Sequence, residues 1–100
     1  MRYKVEYFSI IRRDREVIKG YLDQYSTNAA KRLFGKIKSK IELAKSNPYL
    51  YRAYERRPQF RVIVVDDYLV FYKVNEDKRT IEIHRILHGM MDIEQCFDKQ

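Results

Sequence analysis

The sequence has little of what stabilises a secreted protein or anchors one in a membrane. Its 100 residues include one cysteine, two prolines, three glycines and no tryptophan. Cys96 alone can form neither an intramolecular disulfide nor a cysteine-built zinc site, which is typical of a reducing cytoplasm. No apolar run approaches the roughly 20 residues of a transmembrane helix, and residues 1–6 are too charged for a signal peptide. We therefore expect a cytoplasmic protein without membrane anchor, metal or cofactor.

The composition predicts one small basic domain. A chain of 100 residues with 45% hydrophobic content can bury one core and is too short for two, so residues 1–100 are assigned to a single domain. Nine tyrosines and five phenylalanines supply the aromatic side chains, and tyrosine can bury its ring at the edge of a core. The net charge of +7 favours an anionic partner, either nucleic acid or an acidic protein.

Residues 60–97 carry the clearest pattern. Two runs rich in β-branched and aromatic residues, 60–65 and 68–74, flank the acidic pair Asp66-Asp67 and predict a β-hairpin. Residues 80–84 alternate apolar and polar side chains, as a half-buried third strand does. This strand leads into Arg85-Ile86-Leu87-His88-Gly89. The sheet thus ends with an arginine and a histidine at its rim, which is either a site or an ordinary strand end.

A short strand and two amphipathic helices precede these strands. Residues 2–8 alternate as a strand, and Ser9 is a candidate helix cap. The second helix begins after Asn28 and ends before Pro48, and its basic face is either a solvated surface or a surface that contacts phosphates. The predicted apolar stripes are Ile11, Val17, Ile18, Tyr21, Leu22 and Tyr25 in the first helix, and Ala29, Ala30, Leu33, Phe34, Ile37, Ile41 and Ala44 in the second.

The order of these elements predicts an α+β fold. It reads β-α-α-β-β-β, followed by a short C-terminal helix that Asp92 caps. Strands two to four should form an antiparallel meander, and the first strand should join at an edge. The expected architecture is a small antiparallel sheet with a helical hairpin packed on one face.

Tyrosine and arginine alternate irregularly in residues 49–59, which have no clean period. Such a composition suits stacking on bases and pairing with phosphates. The structural alternative is a connecting loop whose tyrosines fill the edge of the core. If the segment binds a target, the candidate residues are Arg52, Arg56 and Arg57, joined by His84 from the last strand.

The chain also offers residue types that could cleave RNA without a metal. Attack by the 2′-hydroxyl needs a base, an acid and cations that stabilise the phosphate, and histidine and arginine suit these roles. The candidates are Arg61, Arg85 and His88. Strand alternation places His84 and His88 on one face, and Arg85 joins them only if a bulge turns it.

Both rim residues have structural alternatives. For Arg85 the alternative to a catalytic role is an ion pair with Asp14 or Asp92, and for His88 it is a hydrogen bond at the strand end. These alternatives stay open at the level of the sequence.

Several stretches, in order along the chain, together match one family. They are Tyr3-Lys4-Val5, Asp14, Ile18, Tyr21, Ala29-Ala30, Ile37, Ile41, Asn47-Pro48, Arg61, residues 68–74, residues 85–89 and Asp92. In this order the chain resembles the RelE/ParE superfamily of toxins from type II toxin–antitoxin modules, over nearly its whole length. The resemblance implies a RelE-like fold and a toxin that inhibits growth, takes part in plasmid stabilisation, and is neutralised by a cognate antitoxin in a hetero-oligomer.

The resemblance implies two possible activities. RelE-like members cut messenger RNA on the ribosome, and ParE-like members poison DNA gyrase. The nuclease pattern has basic or hydroxyl side chains at four positions where this chain has Ile63, Leu69, Met91 and Phe97, although His88 matches a histidine of the YoeB-like nucleases.

We therefore favour a ParE-like inhibitor with gyrase as target. The first alternative is a ribosome-dependent mRNA interferase that uses Arg61, Arg85 and His88. The others are a basic nucleic-acid-binding module and an inactive toxin fold, so the sequence does not decide whether the protein is an enzyme.

Overall fold

The computed structural model describes residues 2–98, which form five strands and three helices. Every predicted helix and strand is present, and a short extra strand, β2, lies in the segment that has no period. The elements, in chain order, are β1 (Lys4–Tyr7), α1 (Ile10–Leu22), α2 (Ala29–Ser46), β2 (Ala53–Tyr54), β3 (Arg57–Val65), β4 (Tyr68–Asn75), β5 (Thr80–His88) and α3 (Ile93–Asp98).

The sheet has the order β1-β5-β4-β3-β2. Strands β3, β4 and β5 form the predicted antiparallel meander, and β1 lies at an edge as predicted. The prediction of a wholly antiparallel sheet is wrong, because β1 pairs with β5 in parallel. The five-stranded sheet is therefore mixed.

The path of the helices explains the parallel pair. Helix α2 ends beside the start of β1, where the Tyr3 N–H donates to the Lys45 carbonyl at 2.8 Å. The meander therefore begins at the same end of the sheet as β1. Three antiparallel strands that begin there leave the last one, β5, running in the direction of β1.

The main core lies between the sheet and helices α1 and α2. The predicted stripe of α2 is buried at Ala30, Leu33, Ile37, Ile41 and Ala44. The stripe of α1 is only partly correct, because its outer half remains in solvent. Ile11 and Ile18 are buried, whereas the exposed fractions of Val17, Tyr21 and Tyr25 are 61%, 51% and 71%.

A second, smaller core lies on the opposite face of the sheet, under α3. Phe97 of α3 packs against Phe60 and Phe71, with ring centroids 4.9 and 5.1 Å apart. Val62 and Leu87 complete this buried cluster. The short C-terminal helix thus gives the sheet a covered second face. Within residues 2–98 no helix is both long and apolar enough to span a bilayer.

Candidate functional site

Strand β5 contains a β-bulge at His84. Tyr72 pairs with Ile83 and Phe71 pairs with Arg85, so His84 has no partner in the register of β4. An extra residue of this kind interrupts the alternation of a strand. Residues after His84 therefore face the opposite way from the regular pattern that the sequence predicts.

The bulge separates the two histidines. The His84 ring lies 4.9 Å from the Phe60 ring, in the smaller core. The His88 ring lies 5.0 Å from the ring of Tyr68, which belongs to the main core between the sheet and helices α1 and α2. The prediction that His84 and His88 share a face is therefore wrong, because it assumed that side chains alternate regularly along β5, and the bulge interrupts that alternation.

Arg85 forms a buried ion pair with Asp14 of α1. Its Nε donates to Asp14 Oδ2 at 2.9 Å and its Nη2 donates to Asp14 Oδ1 at 2.8 Å. The Ile86 N–H donates to the same carboxylate at 3.0 Å, and Arg85 Nη1 donates to the Cys96 carbonyl at 2.7 Å. The hydrogen bond from Arg85 to Asp14 raises the pKa of the guanidinium. This arginine thus joins β5 to both α1 and α3, and its charge is neutralised within the protein.

Arg61 lies on β3, which β4 separates from β5, and is held by the segment that follows α2. Its Nη1 donates to the Tyr51 carbonyl at 2.6 Å, and its guanidinium carbon lies 4.7 Å from the centre of the Tyr49 ring. Tyr72 secures the same loop, since its hydroxyl donates to the Pro48 carbonyl at 2.7 Å. Arg61 therefore fastens the segment that links α2 to the sheet.

His84 is enclosed by aromatic rings. Its ring lies 3.8 Å from the Phe8 ring in addition to Phe60, and only 7% of the residue is exposed. Its Nε2 has no hydrogen-bond partner within residues 2–98, although Glu82 Oε1 lies 3.8 Å away. Burial, helped by the charge of Lys73, lowers the pKa of His84, and Glu82 opposes this shift. The side chain is thus a neutral, inaccessible imidazole near pH 7.

His88 closes the turn after β5. Its Nδ1 accepts a hydrogen bond from the Met90 N–H at 3.0 Å, and the next residue, Gly89, donates its N–H to the Asp67 carbonyl at 2.8 Å. His88 is half-buried. These contacts correspond to the structural alternative of a histidine hydrogen-bonded at the strand end.

The three candidate arginines of the tyrosine-rich segment differ in their surroundings. Arg57 pairs with Glu94 at 3.1 Å and with Asp98 at 3.2 Å, and it lies over the Phe97 ring. Arg52 and Arg56 are exposed and form no ion pair within the described chain. Of these three arginines, Arg52 and Arg56 therefore present a free charge to a target, and Arg57 does not.

Two grooves flank α1 on opposite sides. The outer groove, of about 780 Å³, lies between α1, the end of β5 and α3, and Arg85 and His88 both line it. The interhelical cleft, of about 1020 Å³, lies between α1 and α2. The sequence did not indicate this cleft, although the spacing of Arg12, Arg15 and Lys19 along one helix face is a signal that could have done so.

The positions that depart from the nuclease pattern occupy apolar surroundings. Leu69 packs against the core under α3, Phe97 is part of that core, and Ile63 is buried on the helix side. Met91 lies at the outer groove.

No group of three or more metal-ligating side chains occurs in residues 2–98. Arg85 and His88 meet at one groove, and the structure places Arg61 elsewhere.

The fold is that of a small class of α+β toxins. It is similar to a RelBE toxin–antitoxin complex from Mycobacterium tuberculosis (TM-score 0.59, 16% identity, 88% of this chain and 99% of the other). It is also similar to the chromosomal ParDE system from P. aeruginosa (TM-score 0.69, 13% identity, 86% and 95%) and to the isolated RelE toxin from E. coli (TM-score 0.63, 11% identity, 97% and 96%). These likenesses confirm the RelE-like fold.

The family follows from the sequence itself. Residues 10–93 match the family model of the ParE toxin of the type II toxin–antitoxin system parDE. The chain therefore belongs to this ParE toxin family, within the RelE/ParE superfamily. No curated protein matches the sequence as a relative.

Proposed function

We propose that this toxin inhibits growth by binding a protein target, with DNA gyrase as the candidate, and that it does not cleave RNA. The observation that carries the proposal is the engagement of Arg85. A phosphate clamp needs an arginine whose charge is free, and the charge of Arg85 is neutralised by Asp14 at 2.8 Å. Freeing it would leave the buried Asp14 carboxylate without a counter-charge, with the Ile86 N–H as its remaining hydrogen-bond donor, which is strongly unfavourable.

Two further candidates, His84 and Arg61, are also engaged within the protein. His84 is enclosed by Phe8 and Phe60, and the hydrogen bond of Arg61 to Tyr51 fixes its side chain. General acid–base catalysis needs groups within hydrogen-bond reach of one substrate. The distribution of these side chains over separate parts of the sheet supports a binding protein over a nuclease.

The outer face of α1 supports a protein target. Val17 and Tyr21 line the outer groove with exposed fractions of 61% and 51%, and Met91 adds 44% on the opposite wall. Exposed apolar side chains that lie together around a groove commonly mark a protein–protein interface. We place the contact with the target here, with Arg52 and Arg56 as further candidate contacts from the tyrosine-rich segment.

We also propose that a cognate antitoxin neutralises this chain in a hetero-oligomer. The net charge of +7 suits an acidic partner, because complementary charge accelerates and aligns association. Roles that the toxin and antitoxin would have together, such as plasmid stabilisation, depend on this pairing and belong to the same proposal.

A ribosome-dependent mRNA interferase is the second candidate. The supporting observation is that Arg85 and His88 line the same groove. In that mechanism His88 would exchange the proton, and Arg61 and Arg85 would hold the phosphate. Rearrangement on the ribosome would have to release Arg85 from Asp14.

Two assays with the purified chain separate the candidates. The first adds the toxin to gyrase and supercoiled plasmid, and it measures gyrase-linked DNA breaks. The second adds it to a translating extract and maps mRNA ends by primer extension. We expect breaks in the first assay and intact message in the second, with Val17→Glu abolishing the breaks and His88→Ala leaving them.

The opposite pattern would overturn the proposal. Message cut within codons, dependent on ribosomes and lost in a folded His88→Ala variant, would show a nuclease. No effect in either assay, from a chain that also leaves growth untouched on induction, would show an inactive toxin fold.

A further inference from the structure

The interhelical cleft is a separate surface with its own chemistry. It runs between α1 and α2 and shares no lining residue with the outer groove. A smaller recess of about 230 Å³ adjoins it, and both are lined by Tyr7, Arg15 and Phe34. The proposed function makes no use of this surface.

Cations line both walls of the cleft. Arg12, Arg15 and Lys19 follow one another along α1 at intervals of three and four residues, which places them on one helix face. Lys31 of α2 lies on the opposite wall, and Lys38 extends the row into the recess. All five side chains are exposed.

Little in the protein neutralises these charges. Lys19 pairs with Asp23 at 2.6 Å, and Glu16 is the other carboxylate in the lining. The other four cations form no ion pair within residues 2–98. The cleft therefore keeps a positive surplus that an anionic ligand would complement.

The floor of the cleft presents aromatic rings. Tyr7 and Phe8 are 51% and 36% exposed. The Arg15 guanidinium already lies 4.7 Å from the centre of the Phe34 ring, a geometry in which a cation and an aromatic face attract each other. The aliphatic side chains beneath are closed to a ligand, since Ile11, Ala30 and Ile37 are only 3%, 3% and 4% exposed.

We propose that the interhelical cleft binds single-stranded nucleic acid. Proteins that bind single strands combine a cationic groove along the backbone with aromatic rings on which bases stack, and this cleft presents both. An acidic peptide is the less favoured ligand, because its apolar side chains would need aliphatic pockets that are buried here. The proposal is independent of the identity of the toxin's target.

The test is fluorescence anisotropy of the purified chain with a labelled oligothymidylate of about 12 nucleotides, over a range of salt concentrations. We expect binding at low salt. The logarithm of the binding constant should fall linearly with the logarithm of the salt concentration. The double variant Arg12→Gln/Lys31→Gln should lower the slope by about 1.4, since each phosphate contact to a single strand contributes about 0.7. The control Lys4→Gln/Lys78→Gln removes the same charge outside the cleft and should leave the slope unchanged.

A second pair of variants tests the stacking. Tyr7→Ala should weaken binding about tenfold or more, because base stacking on an aromatic ring is lost, whereas Tyr7→Phe should bind as the wild type does. Circular dichroism and thermal unfolding confirm that each variant is folded.

Three results would overturn the proposal. One is the absence of binding at low salt. Another is an equal effect of the control pair, which would show attraction by net charge alone. The third is binding of an oligoglutamate peptide, but not of the oligonucleotide, that the cleft variants abolish.

Discussion

Arg85 and Asp14 connect the last strand of the sheet to the first helix through two parallel hydrogen bonds of 2.9 and 2.8 Å. Both residues are buried, with exposed fractions of 8% and 6%. The contact to the Cys96 carbonyl extends this connection to α3. One side chain on β5 thus fixes the positions of α3, which follows in the chain, and of α1, whose Asp14 is 71 residues away.

Breaking this ion pair from one side should destabilise the protein strongly. Asp14→Asn or Arg85→Met should each lower the free energy of unfolding by about 3–5 kcal/mol, because the remaining group is buried without its partner. The double variant Asp14→Asn/Arg85→Met should lose less than the sum of the two. Urea unfolding measures all three. The exposed pair Lys19 and Asp23 is the control, and Lys19→Met should cost about 1 kcal/mol or less.

The stability should depend on the ionisation of His84. Burial lowers its pKa from 6.5, so the folded protein binds this proton less readily than the unfolded chain. The contribution of His84 to the free energy of unfolding should therefore be complete above pH 6.5. The free energy of unfolding should fall as the pH drops below that value. Urea unfolding at about pH 7.5 and about pH 5.5 measures the change. His84→Phe should reduce this dependence, and an unchanged pH profile in that variant would assign it to other groups.

Tyr72 should show the opposite dependence, at alkaline pH. Burial raises its pKa from 10.0 to about 12, so the folded state retains the proton over a range in which the unfolded chain loses it. The free energy of unfolding should decrease as the pH rises above 10. Tyr72→Phe should remove this contribution and cost about 1 kcal/mol at neutral pH through the lost bond to Pro48. Spectrophotometric titration of the tyrosines in both proteins is the measurement.

The attachment of α3 to the sheet should depend on the Phe97 ring. Phe97→Ala should cost about 3–5 kcal/mol, because it empties the centre of the smaller core, and hydrogen exchange should increase throughout α3. Arg57→Ala should cost about 1 kcal/mol or less, since its partners Glu94 and Asp98 both remain in contact with solvent. If Phe97→Ala left the exchange of α3 unchanged, the polar contacts of Arg57 and Arg85 would be the main attachment.

The sequence predicted those parts of the fold that depend on local pattern. The two apolar runs on either side of Asp66-Asp67 became β3 and β4, and the stripe from Ala30 to Ala44 became the buried face of α2. The direction of β1 was not accessible in this way. It depends on where α2 ends relative to Tyr3, and no alternation within residues 2–8 contains that information.

The site was less predictable because its contacts are long-range. The sequence indicated Arg85 as a candidate and Asp14 as one of two possible partners, but only the packing of α1 on β5 selects Asp14 over Asp92. The bulge at His84 inserts one residue into an otherwise regular strand, and that insertion moves His88 to the other face. Charges such as Arg12 and Lys31 become one surface only when two helices face each other.

The parallel pair of β1 and β5 also has a consequence for synthesis. Among the five strands of the described residues, β1 is synthesised first and pairs with β5, the last of them, from Lys4 opposite Thr80 to Tyr7 opposite Ile83. Pairing over such a long loop is slow and cannot begin before β5 has emerged from the ribosome. A nascent chain therefore cannot complete its sheet until β5 has been synthesised and has left the ribosome, so the edge of the sheet that β1 forms is closed last.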